Sequence, residues 1–107
     1  MPKFMYQASY TVEGVRGLLK ETASGRRAAV KSAITGLGGN LESLYYCIGS
    51  DDVVIVMDMP DVIAAAGLAM TVAASGMVPG RLTALLTVEE ADKAMGVKVP
   101  YRAPGLL

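Results

Sequence analysis

Three groups of side chains in this 107-residue chain have types and spacings suited to chemistry. The first is Ser24-Gly25-Arg26-Arg27, which sets a hydroxyl, free backbone N–H groups and two guanidinium groups at the start of a helical run. Proteins hold phosphate or carboxylate groups with this combination. The competing reading is a helix capped by Ser24 whose arginines face solvent. The second group is Tyr6, Tyr10, Tyr45 and Tyr46, in β-rich segments expected to lie side by side. With Gln7, Ser9, Glu42 and Arg81 they are expected to line the open face of a sheet as an aromatic wall with convergent polar groups, the make-up of a ligand pocket. Tyrosine also packs cores and interfaces with its hydroxyl at the rim, which is the alternative here. The third group is acidic. Asp51 and Asp52 fall in a turn, where aspartate bonds local backbone, and they lack the spacing of a calcium or magnesium site. Asp58 interrupts an apolar run; if buried, it requires a charged partner such as Arg81 or a raised pKa.

Composition narrows the chemistry further. The chain has no histidine and one cysteine, Cys47, so the common soft-metal sites lack ligands, no intramolecular disulfide can form, and no cofactor or metal is expected. Cys47 falls in a β-rich run and reads as a small buried hydrophobe, with no histidine to activate it. Ten basic and ten acidic residues cancel and are interspersed, which disfavours nucleic acid and anionic membrane as partners. The start of the chain lacks the apolar run of a signal peptide and no stretch is long enough to span a bilayer, so a cytoplasmic location is expected. Counting glycine and omitting tyrosine, apolar residues make up about 59% of the chain, against roughly 45 to 50% in ordinary domains. A domain this small has limited interior, so the surplus points to contact between copies, a homo-oligomer.

The elements that must position these groups follow from periodicity. Phe4 to Tyr10 alternates as a strand, with Phe4, Tyr6, Ala8 and Tyr10 on one face and Met5, Gln7 and Ser9 on the other. Val15, Leu18 and Leu19, then Val30, Ala33, Ile34 and Leu37, recur at helical spacing on either side of Thr22-Ala23-Ser24-Gly25, which predicts one broken helix ended by Gly38-Gly39. Leu41–Ile48 and Val53–Met59 read as a hairpin around Gly49-Ser50-Asp51-Asp52. A helix from Asp61 to Ser75, rich in alanine and apolar almost all round, precedes a strand over Arg81–Thr87 and a short helix from Val88 with Glu89 and Glu90 in its first turn. The order is an α+β, ferredoxin-like βαββαβ with a terminal helix, expected to occupy residues 1–96, followed by an extended arm over 97–107. Helices cover one face of such a sheet, and the apolar strands leave the other face needing a neighbour.

Several fragments together resemble the GYD-domain family. They are Gln7-Ala8-Ser9-Tyr10-Thr11, Glu13-Gly14, Gly17-Leu18-Leu19-Lys20, Ser24 to Val30, Leu37-Gly38-Gly39, Leu86 to Ala91, and Tyr101-Arg102-Ala103-Pro104-Gly105. In the family turn Gly49 and Asp52 fit, while Asp51 stands where the naming tyrosine would be. The resemblance implies the fold and kinship with the dimeric α/β barrels, which include cofactor-free oxygenases and isomerases. Two functions are therefore expected to compete. One is a non-catalytic homo-oligomer that binds a small organic ligand or serves as an assembly module. The other is a cofactor-free enzyme acting on a small aromatic or carbonyl compound, with Asp58, Tyr6 or Tyr46 moving the proton and Arg81 holding an anion.

Overall fold

A computed structural model describes residues 1–106. In β1 (Lys3–Ala8) the alternation is realised as written: Phe4, Tyr6 and Ala8 are buried and Lys3, Met5 and Gln7 half-buried. Thr11 caps α1 (Val12–Gly36) by accepting the Gly14 N–H at 3.2 Å. The helix is broken at Thr22, whose φ of 71° and ψ of 164° leave the helical region. Thr22, and not Ser24, caps the second half, its hydroxyl accepting the Gly25 N–H at 3.4 Å. Ser24 already lies inside the new helical turn, which removes it from the capping role its type suggested. At the far end Gly38 takes a φ of +82°, open to residues without a Cβ, while its N–H and that of Gly39 close on the Thr35 and Ile34 carbonyls.

β2 (Asn40–Tyr46) and β3 (Val53–Asp58) pair antiparallel, with a register shift between Leu41 and Ser43. Their connection spans residues 47–52, longer than the turn expected, and the Cys47 N–H donates to the Asp52 carbonyl across it at 2.7 Å. Cys47 is thus a half-buried residue of the connection, not a buried strand residue. Asp61 caps α2 (Val62–Ala74), β4 (Gly80–Leu85) follows, and Thr87 and Glu90 form a reciprocal capping box on α3 (Val88–Met95). The four strands make one antiparallel sheet in the order β2-β3-β1-β4. The chain is α+β in a ferredoxin-like βαββαβα order.

Register then decides which side chains share a face. Phe4, Tyr6 and Ala8 stand beside Met57, Ile55 and Val53 across β3, and beside Ala84, Leu82 and Gly80 across β4. This face carries the helices, and the core is centred on it with Ile34 and Met59 fully buried. The opposite face presents Met5, Val54 and Val56, with polar groups at both ends. α3 buries none of its residues, and Val88 and Met95 on it, with Val97, Val99 and Tyr101 after it, are exposed. The radius of gyration is accordingly 17.1 Å, where a compact chain of this length has about 13 Å, and the long axis reaches 60 Å. Among the described residues no helix is long and apolar enough to cross a membrane.

Candidate functional site

α1 leans on β2 and α2 on β4, and the wedge between the helices above β1 and β3 is incompletely filled. A cavity of about 130 Å³ remains there. Its floor is the helix-facing side of the sheet, with Tyr6, Leu44, Val53, Ile55 and Met57. Val30 and Ile34 of α1 and Leu68 and Val72 of α2 form its walls, while Tyr10, Tyr46 and Arg26 supply nearly all its polarity.

The tyrosine rings of 10 and 46 stack with centroids 6.4 Å apart and planes 16° from parallel, and their hydroxyls are 3.5 Å apart. Their mutual bond is at the long limit, so both hydroxyls retain capacity for another partner. Tyr6 is different: its hydroxyl donates to the Val78 carbonyl at 2.8 Å, which leaves the ring as a packing surface. Burial pushes the Tyr10 hydroxyl far above the ordinary phenol pKa of 10.0, helped by its bond to Tyr46 and opposed by the nearby Arg26. Burial raises Tyr6 as well. Both phenols are therefore neutral hydrogen-bonding groups around pH 7 and not bases. Arg26 pairs with Glu21 at 3.2 Å, and a shallower depression beside the cavity, lined by Ala23, Ser24 and Arg27, shares Leu44 and Tyr46 with it.

Asp52 fixes the position of Tyr10. Its carboxylate accepts the Tyr10 N–H at 2.9 Å, and its own N–H donates to the Ala8 carbonyl at 2.9 Å. Gly49 is exposed and a Cβ there would meet nothing within 4 Å.

The expected pocket residues are thus divided by the sheet. Tyr6, Tyr10 and Tyr46 meet Arg26 in the helix-side cavity, whereas Gln7, Asp58 and Arg81 belong to the opposite face, as does Tyr45. Asp58 pairs with Lys3 at 2.8 Å and not with Arg81. That bond first, and one from Asn40, hold its carboxyl below the ordinary value, the reverse of the raised pKa a general base near neutrality needs. Lys3 also reaches Glu42 at 3.0 Å. Arg81 pairs with Asp51 at 3.0 Å and with Gln7 at 3.4 Å. Leu68 and Val72 were not among the expected lining residues. The signal for them lay in the alternation of β1, which puts Tyr6 and Tyr10 on the face of Phe4 and Ala8 and so under the helices. Among the described residues no group of three or more histidine, cysteine, aspartate or glutamate side chains converges to hold a metal ion.

The chain is a ferredoxin-like α+β domain with an apolar cavity between helices and sheet, edged by two phenols and one guanidinium. The chain belongs to the GYD domain family, whose pattern it matches over residues 4–95. Comparison with curated proteins and with solved structures gives no significant match.

Proposed function

We propose that this protein is a cytoplasmic homo-oligomer that binds a small organic ligand in the cavity between its sheet and its two long helices. The observation that carries the reading is the cavity's make-up: apolar floor and walls, with Tyr10, Tyr46 and Arg26 as its hydrogen-bonding groups. Its volume of about 130 Å³ approaches the roughly 150 Å³ of an engineered cavity that takes up benzene, so one ring or a short aliphatic chain fits. Oligomerisation is supported by the exposed apolar side chains of α3 and the segment after it, and by Met5, Val54 and Val56 on the uncovered sheet face, against which a second sheet could pack. The enzyme alternative needs a base beside its substrate. Asp58 lies across the sheet from the cavity, the Tyr6 hydroxyl is committed to the Val78 carbonyl, and no carboxylate lines the cavity among the described residues, which leaves only Tyr46 of the three proton carriers available there and favours binding.

Native mass spectrometry of protein purified gently from its own host tests the proposal. A multimer carrying excess mass is expected, and Val72→Phe, which fills the cavity from α2, should lose that mass while keeping the multimer. Excess mass that survives the filled cavity would place the ligand elsewhere. A bare monomer, whose aromatic resonances do not respond to phenol at millimolar concentration, would remove both parts of the reading.

A further inference from the structure

We propose that the ligand's head is a carboxylate seated on Arg26, and that Glu21 holds this guanidinium when the cavity is empty. The inference rests on the binding reading above and assigns its ligand class. Arg26 lines the cavity and brings a permanent positive charge, and among the described residues no anionic side chain lines the cavity to oppose it. Tyr10 and Tyr46 offer hydroxyls with hydrogen-bonding capacity left over from their long mutual bond. A head rich in acceptors satisfies all three groups at once, whereas an ammonium head would meet the guanidinium with like charge.

Arg26 already pairs with one carboxylate, from a side chain that does not line the cavity. Arg26 Nη1 donates to Glu21 Oε2 at 3.2 Å, and that single contact leaves the other donors of the guanidinium fork unused by it. Glu21 is 52% exposed, so its carboxylate can return to water at little cost. The spacing of the pair is five positions, and in an uninterrupted helix residues meet at three or four. The two side chains meet because α1 breaks between them at Thr22, in a region of backbone space strained for any residue with a Cβ. The break therefore creates an internal competitor for the Arg26 guanidinium. The cavity's size limits the remainder of the ligand to about one ring or a short chain.

The full chain is titrated with two matched pairs, benzoate against benzamide and hexanoate against hexanamide, following Tyr10 and Tyr46 resonances. Each acid should bind roughly tenfold or more tightly than its neutral counterpart, the scale of a charge-assisted contact. Glu21→Gln, an exposed change, should tighten acid binding a few-fold and leave the amides unchanged. Arg26→Gln should erase the acid preference while amide binding persists. Amides that bind as well as acids, or an unaltered acid affinity in Glu21→Gln, would overturn the inference but leave the cavity a binding site. No response to any of the four compounds would remove the binding reading and the inference together.

Discussion

Replacing Thr22 by glycine should make the protein more stable, although it introduces the most flexible residue into the middle of α1. Thr22 holds φ 71° and ψ 164°, a combination that is essentially glycine's own, and such a residue stores on the order of 1–3 kcal/mol. Two smaller effects oppose the relief. Glycine gives the unfolded chain more freedom, which costs about 0.5–1 kcal/mol. The cap on Gly25 is lost, but at 3.4 Å it is long, and glycine at an N-cap position is worse by only a few tenths of a kcal/mol. The balance is a gain of about 1 kcal/mol, or a melting temperature higher by about 4–8 °C for a domain of this size. Thr22→Ala keeps a Cβ in the strained region and loses the cap, so it should fall by about 0.5–1 kcal/mol. Both variants are compared with the parent by thermal and urea unfolding at one fixed protein concentration, since assembly makes melting concentration-dependent. A glycine variant that melts at or below the parent would show that no strain is stored at this position, and an alanine variant equal to the parent would show that the cap contributes nothing.

Gly14→Ala should destabilise by about 1–3 kcal/mol, because the new Cβ would lie 2.2 Å from the Met77 carbonyl oxygen, which already accepts the Thr11 N–H at 2.9 Å; an unchanged urea midpoint contradicts this. The Asp58 carboxyl is held below its ordinary pKa of 3.8, so its contribution is present above that value and lost as pH falls through the lower folded one. Asp58→Asn should therefore be less stable at neutral pH and show a shallower acid decline in urea unfolding, with Glu90, shifted the same way by its bonds to Thr87, retaining part of it; an acid limb as steep as the parent's refutes the assignment. Deletion of residues 97–107 should reduce the assembled mass in sedimentation, and unchanged mass and melting would show that this segment takes no part in assembly. At low micromolar concentration the full chain should not persist as a compact monomer, and finding one would refute the interfacial reading of its exposed apolar residues.

The fold was legible because its signals are local. The alternation of Phe4 to Ala8, the period of Val30 to Leu37, and the acidic first turn at Glu89 and Glu90 each report their own element, and the element order then admits one familiar topology. The site was half legible. Tyr6, Tyr10, Tyr46 and Arg26 were recognisable as types, but their joint position depends on a gap between α1 and α2, which no single element encodes. Asp58 went astray for a similar reason. Its ion-pair partner, Lys3, is its cross-strand neighbour on β1, while Arg81 stands opposite Gln7 at the far end of the sheet. Thr22 taking the cap from Ser24 depends on where the helix breaks, and threonine and serine offer the same oxygen there.

The strand order carries a consequence for how the chain is made. β2 and β3 are joined by a short connection and can pair as soon as both have left the ribosome, but β1 waits for partners far along the chain. Its end is tied through Tyr10 to Asp52, 42 positions on, and Tyr6 reaches Val78 after 72. Closing such loops is slow relative to forming a hairpin, so the β2–β3 pair should serve as the template on which the first-synthesised strand later docks. Weakening the hairpin at Leu44 should then slow refolding, while weakening the β1–β4 pair at Leu82 should mainly speed unfolding. Stopped-flow refolding of the two variants giving the opposite pattern would reverse that order. Of the two central strands, β1 is translated before β3 and is the one kept longer without a neighbour.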